Sequence, residues 1–223
     1  MNAISLISIG RDDYLKYCLP SVEKYCEKFN VNLELIQTKK WNFQKEGNYN
    51  FINFEKNQTY DLFDKYDKVL RVDSDVIFTP SCPDLFKLDS DFIYGVREDV
   101  DSRKPARLQQ IKISQKSLGS IDGWNEVYLN SGIILCSSKH KEMYNISKHL
   151  NQIKNVELGP YKEQTFLNWK INSLGHKVKC LDYRYNHMSM FEQDIKDSFI
   201  IHYAGEQGPK AGNMSRDYKF FYG

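Results

Sequence analysis

The run KVLRVDSDVIFTP, residues 68–80, constrains the fold of this 223-residue chain more than any other. Val69, Leu70 and Val72, interleaved with Lys68 and Arg71, form a strand-like segment that runs straight into Asp73-Ser74-Asp75 before the chain turns apolar again at Val76, Ile77 and Phe78. Removing two neighbouring carboxylates from water is costly unless a cation stands between or beside them. A buried strand ending in Asp-x-Asp therefore demands a positive partner.

The segments before it set the fold class. Ala3 to Ile9 reads as a short strand closed by Gly10. A helix follows, capped by Asp12 or Asp13, with an apolar face of Leu15, Cys18, Leu19, Val22, Tyr25, Cys26 and Phe29. Pro20 lies inside that pattern and implies a kink or two successive helices. Val31 to Ile36 is a second strand, Trp41, Phe43, Tyr49 and Phe51 mark an aromatic loop, and a helix from about 53 to 66 leads into the strand Lys68 to Val72. Strand, helix, strand, helix, strand specifies right-handed βαβ units and a mostly parallel α/β sheet. Such sheets bind ligands beyond the carboxyl ends of their strands, where the two aspartates lie.

Downstream, a short helix at Pro83 to Leu88 and a strand at Phe92 to Val96 precede residues 98–124, which are polar and without clear period. VYLNSGIILC, residues 127–136, reads as a strand interrupted by Asn130-Ser131-Gly132, a sequence that also suits a β-bulge. Helices at about 138–153 and 160–171, strands at Val178 to Leu181 and Phe199 to His202, and a tail from Gly205 wrapping back over the domain complete the reading.

Thirty-one basic against 29 acidic residues leave a net charge of +2, which excludes the global field of a nucleic-acid binder. The basic clusters Arg103, Lys104, Arg107 and His176, Lys177, Lys179 read as solvated surface. Five cysteines without CxxC spacing point to a reducing compartment. No run of about 18 apolar residues encodes a membrane span, and the apolar stretch at the N-terminus is too short for a signal peptide, so a cytoplasmic location is expected. His140, His149, His176 and His187 read as surface or core, as do Trp124 and the aromatic loop.

Asp73 and Asp75, at i and i+2, would share one strand face about 6.6–6.8 Å apart. Hard oxygen donors of this kind suit Mg²⁺ or Mn²⁺ with positions left open for substrate phosphates. An Asx-turn or helix cap is the bland alternative. DSDV after an apolar strand, Lys56 and YDKVL before it, and LNSGIIL, EQTFLN and IIHYAG after it together resemble the GT-A glycosyltransferases, most closely the retaining family 8-like branch.

That resemblance implies one GT-A domain over residues 1–223, with a Rossmann-like nucleotide-binding part to about residue 98 and a sugar and acceptor part beyond. It implies a UDP-sugar donor and an acceptor hydroxyl on a glycan, protein or lipid headgroup. It also implies Mn²⁺ or Mg²⁺ on Asp73, Asp75 and His202. By the same analogy Ser8, Ile9, Gly10, Arg11 and Tyr14 hold uracil and ribose, and Lys56, Ser74, Gly205 and Lys210 lie near the phosphates. Asn130, Glu163 and Gln164 face the sugar. HYAGEQGPK departs from the family's His-x-x-Gly-x-x-Lys because Lys210 comes two residues late, and Glu163 stands where the family has Asp. Two other classes compete. One is a haloacid-dehalogenase-like phosphatase using Asp73 and Asp75, with Asp194 and Asp197 as a thin downstream acidic pair; the other is a non-catalytic nucleotide-sugar or glycan binder.

Overall fold

A computed structural model describes residues 1–10, 12–41, 51–98, 101–124, 127–155, 158, 161–205 and 209–223, with the side chains of Asp12, Asp101 and Asn155 left aside. Its centre is a six-stranded sheet in the order β2-β1-β3-β6-β5-β7. The strands are β1 (Asn2–Ile7), β2 (Asn32–Ile36), β3 (Lys68–Asp73), β5 (Ile93–Arg97), β6 (Leu129–Ser137) and β7 (Val178–Leu181). β1 pairs in parallel with β2 and β3, and β5 with β7, whereas β6 runs antiparallel to both β3 and β5. The ends of β1, β3 and β5 and the beginning of β6 therefore meet at one edge. A second, two-stranded antiparallel ladder joins β4 (Val76–Phe78) to β8 (Ile200–His202).

Side chains alternate between the two faces of a strand, so the central strands feed two cores. Ile4, Leu6, Leu70 and Val72 pack on one side against Cys18, Val22, Val76, Ile77 and Met214. Ala3, Val69, Ile134 and Cys136 pack on the other against Tyr144, Leu167 and Ile171. Each such fully buried aliphatic side chain contributes about 1.5–3 kcal/mol relative to exposure. β3 is thus buried on both faces, which is why Arg71, in its middle, has no exposure at all.

Helix α1 (Asp12–Phe29) runs unbroken through Pro20. The ring sits on its half-buried side, where its missing N–H deprives only the Lys16 carbonyl of a ladder donor, and Ser21 Oγ donates to the Cys18 carbonyl at 2.7 Å. The helix expected over 53–66 is instead a 3₁₀ segment, Phe51–Gln58, followed by the single turn α2 (Thr59–Leu62). Asn57 and Thr59 turn their side chains onto the carbonyls of Phe54 and Lys56, competing with an α-helical ladder, while Gln58 reaches out to the Thr38 carbonyl.

The stretch expected to lack period contains a fifteen-residue helix, α3 (Lys104–Leu118). Its buried face, Arg107, Gln110, Ile111, Ser114 and Leu118, has helical spacing but mostly polar residues, so the apolar period is blurred. Arg107 is not solvated surface: it is buried and donates to the Glu98 carbonyl at 3.1 Å. The region expected as a helix over 138–153 divides at Asn145 into 3₁₀ segments and α4 (Leu150–Asn155). Helix α5 (Lys162–Ser173) follows the expectation closely, and the tail ends in α6 (Lys210–Tyr222), packed on α1 with Met214 fully buried and Tyr222 bonded to the Phe78 carbonyl at 2.6 Å.

Candidate active site

The strand ends gathered at the sheet edge open into a cleft of about 940 Å³. Its acidic side begins with Asp73, in register with Ile7 at the end of β1, and Asp75 just before β4. The β4–β8 ladder sets Val76 opposite His202. His202 Nε2 consequently lies 3.3 Å from Asp75 Oδ1 and 3.9 Å from Asp73 Oδ2, although some 130 residues separate them in sequence.

The positive partners that two carboxylates require are present. Lys56 Nζ donates to Asp73 Oδ2 at 2.7 Å, and Lys210 Nζ, from the first turn of α6, donates to Asp75 Oδ2 at 2.8 Å while lying 5.2 Å from the Tyr14 ring centre. Burial alone would push the Asp75 carboxyl upward. His202 and Lys210 together outweigh that and hold it well below the usual carboxylate range.

The same residues fit a divalent cation. One donor atom each from Asp73, Asp75 and His202 lies within 4.8 Å of the others, the one such group among the described residues. Asp73 Oδ1 is buried without any hydrogen-bond partner, and two carboxylates with one imidazole suit a borderline-hard divalent ion. The imidazole is also oriented: His202 Nδ1 bonds Asn186 Oδ1 at 2.8 Å, leaving Nε2 toward the aspartates. A Cβ on Gly132 would stand 2.2 Å from His202 Cε1, so only glycine at that position lets the ring sit there.

The opposite side of the cleft is a web of amides. Asn130 Nδ2 donates to Glu98 Oε1 at 2.9 Å and Gln164 Oε1 at 3.3 Å, and its Oδ1 accepts from Gly132 N at 2.8 Å and Asn186 Nδ2 at 3.0 Å. Gln164 Nε2 donates to Glu98 Oε1 at 3.1 Å, while its Oε1 also accepts from Ser131 N at 3.0 Å. The bulge reading of Asn-Ser-Gly holds as well, because the β5–β6 register shifts between Gly95 and Arg97, opposite these residues. Asn130 itself is saturated by protein groups.

Glu163 lines the cleft, and its carboxylate is bonded within the protein. Its Oε1 accepts from Arg71 Nη1 at 3.0 Å, its Oε2 accepts from Ser131 Oγ at 2.7 Å, and Lys56 Nζ lies 3.7 Å from it. Burial works against the charge on Arg71, and Glu163 outweighs it, so the guanidinium stays firmly protonated.

Other expected residues fall into place unevenly. Ser8 is buried with its hydroxyl unpartnered, and Gly10 takes a positive φ of 65° where β1 turns into the site. Ile9 and Ser74 line a small side cavity beside Lys56 and Asp73, and Gly205, with φ of 81°, lines the main cleft. Arg11 lies outside the described residues, as do Phe43 and Tyr49 of the aromatic loop. Phe51 and Phe54 are core, with Trp41 packed against them. Trp124 donates to the Val127 carbonyl and does not line the cleft. His140 and His187 are buried, and His187 bonds Ser198 Oγ at 2.5 Å. Arg103, assigned to surface, lines the cleft and donates to Tyr161 Oη at 3.3 Å.

Sequence reading missed Arg71, Glu98 and Asn186. A charged residue in the middle of an otherwise apolar strand was the available signal for Arg71; Glu98 and Asn186 carry no local mark.

The model of glycosyl transferase family 8 matches residues 11–209. The chain belongs to glycosyltransferase family 8. Solved structures agree in fold. A glycosyltransferase involved in glycosylation of the major capsid of PBCV-1 superposes with a TM-score of 0.65 at 14% identity, with 98% of each chain covered. The galactosyltransferase LgtC, solved with donor and acceptor sugar analogs, gives 0.66 at 17% identity over 100% of this chain and 97% of its own. GlyE of Streptococcus pneumoniae TIGR4 gives 0.57 at 15%, with 97% of this chain spanning 59% of that one. No curated protein matches the chain.

This glycosyltransferase therefore has the GT-A fold expected from its motifs. The match favours neither the phosphatase nor the non-catalytic reading, and Asp194 and Asp197 are exposed beside a 3₁₀ turn outside the main cleft. No helix among the described residues is long and apolar enough to cross a membrane.

Proposed function

We propose that this family 8 enzyme transfers a sugar from a UDP-sugar to an acceptor hydroxyl with retention of anomeric configuration, using Mn²⁺ or Mg²⁺ held by Asp73, Asp75 and His202. The observation that carries the reading is the convergence of those three side chains, within 4.8 Å, in the floor of a cleft large enough for a nucleotide-sugar. When bound, the cation supplies Lewis-acid stabilisation of the departing diphosphate.

The chain's own groups divide the remaining work. Lys210 neutralises phosphate charge, moving onto it from the Asp75 carboxylate it now caps, while Lys56 adds positive charge near the phosphates and keeps its bond to Asp73. Ser8, with its unpartnered buried hydroxyl, and the strand end through Gly10 and Tyr14 receive uracil and ribose, with Arg11 assigned to the same end by family analogy. Ser74 and Gly205 supply backbone close to the phosphates. Gln164 and Asn130 hold the shape of the sugar side, and Glu98, buried and fixed by both amides through Oε1, offers its other oxygen to a sugar hydroxyl. The acceptor hydroxyl, on a glycan, protein or lipid headgroup, enters past Arg103 and Tyr161, which line the cleft.

Calorimetric titration with UDP, UDP-glucose, UDP-galactose and UDP-N-acetylglucosamine, in Mn²⁺ and then in EDTA, tests this on wild type and Asp75→Ala. Micromolar binding that disappears with EDTA and in the variant is expected. Absence of heat with every nucleotide would overturn the donor assignment, and an inverted product would overturn retention.

A further inference from the structure

Glu163 occupies the position at which this enzyme class would present a carboxylate to the sugar, yet both its oxygens are committed to protein. Oε1 takes Arg71 Nη1 at 3.0 Å and Oε2 takes Ser131 Oγ at 2.7 Å. Arg71 has no exposure, and its Nε and Nη2 find no partner, so its charge depends on Glu163 for compensation. A buried guanidinium in that state cannot release its carboxylate to a substrate without becoming an uncompensated buried charge.

The chain of charges continues outward. Lys56 lies 3.7 Å from Glu163 Oε2 and donates to Asp73 Oδ2 at 2.7 Å, which leaves Asp73 Oδ1 as the oxygen without a partner. Arg71, Glu163, Lys56 and Asp73 thus alternate in sign from the centre of the sheet to the edge of the cleft.

We infer that Arg71 and Glu163 are positioning residues: the buried pair anchors Lys56, and Lys56 fixes the Asp73 carboxylate with Oδ1 presented to a divalent cation. The inference deepens the metal-site reading of the preceding subsection and rests on it. Glu163 is then not the reacting carboxylate. Its extra methylene relative to Asp is what carries the carboxylate back to a cation placed in the middle of β3. Groups that orient a metal ligand from behind typically alter metal affinity or activity by about 10–100-fold when removed.

The test compares wild type, Glu163→Gln, Arg71→Met and the double variant Arg71→Met/Glu163→Gln, with folding checked by circular dichroism. Removing one member of a buried pair threatens folding more than removing both charges, so the double variant keeps the experiment interpretable. Mn²⁺ affinity is read by electron paramagnetic resonance in the presence of UDP, and kcat and KM are measured separately. The expected result is a loss of about tenfold or more in Mn²⁺ affinity in Glu163→Gln and in the double variant, with activity largely restored at saturating Mn²⁺.

Wild-type Mn²⁺ affinity combined with a loss of activity beyond about 1,000-fold in Glu163→Gln would overturn the inference and make Glu163 the reacting group. Unchanged affinity and activity in both variants would reduce the pair to a packing feature and equally overturn it. Wild-type protein that takes up no Mn²⁺ with UDP present would overturn the donor reading together with this one, whereas the two preceding outcomes overturn this one alone.

Discussion

The two sides of the cleft solve the problem of buried polarity differently. On the acidic side Asp73 and Asp75 are held by lysines that reach in from separate elements, and one oxygen, Asp73 Oδ1, is left without a partner. On the amide side Asn130 makes four hydrogen bonds within the protein, and Gln164 is bonded through both its oxygen and its nitrogen. The salt link between the long lysine Lys210 and Asp75 can be exchanged for a cation and a phosphate, because each partner finds an equivalent charge elsewhere. A saturated amide web gains nothing by rearranging. At Asp75 the acidic side is built to exchange partners, and the amide side to hold a shape against which a sugar is placed.

The largest effect should come from breaking the acidic side at its long-range member. His202→Ala removes the nitrogen donor and is expected to cost about 100-fold in Mn²⁺-linked UDP binding by calorimetry, with little change in EDTA. A phosphatase reading would predict indifference to this change. Gly132→Ala strikes where the two sides touch, since the new Cβ meets His202 at 2.2 Å. A cost of about 1–3 kcal/mol in denaturant-unfolding stability is expected, accompanied by weakened metal-linked binding. Normal stability and normal binding together would show that the His202 ring has room to move.

The contrast sharpens at Lys210. Lys210→Ala should weaken UDP binding by about tenfold, the scale of one lost charge-assisted contact. Mn²⁺ binding without nucleotide should be equal to wild type or tighter, because the lysine that caps Asp75 has gone. Weaker Mn²⁺ binding in that variant would contradict a competitive cap.

A pH series separates these site effects from global stability. Burial, with His176 beside it, lowers His140 to about 4, and burial also lowers His176 and His187. Histidines in the unfolded chain titrate near 6.5, so below that pH the unfolded state binds more protons than the native one. Stability should therefore be unaffected above pH 7 and fall by about 1–3 kcal/mol between roughly pH 6.5 and 4. Replacing His140 by Gln should flatten this part of the curve. Asp75 acts in the same sense at lower pH: its depressed carboxyl contributes stability that is fully present above the ordinary carboxylate range and is lost as pH falls from there toward the folded-state value.

What could be read from residues alone was whatever has a local period or a local chemical signature. The alternating apolar strands, α1 with its face from Leu15 to Phe29, and Asp73-Ser74-Asp75 at a strand end are of this kind, and the motif residues Lys56, Asn130, Gln164, His202 and Lys210 do line or approach the cleft. Helix α3 escaped because its buried face is polar, and the segment at 51–62 was misread because side chains of Asn57 and Thr59 compete for its backbone carbonyls.

Only tertiary structure decided the rest. The reversal of β6 brings Asn130 to the edge where β3 ends, and the Val76–His202 register delivers the imidazole to the aspartates. Neither follows from a window of neighbouring residues, since strand pairing between distant segments is set by the packing of the whole sheet. Glu98, Asn186 and the Arg71–Glu163 pair belong to the same category. Sequence by itself determined that two carboxylates would need positive partners. Which cations answer that need, and which carboxylate is spent on a buried arginine, depended on distances that exist only in the folded chain.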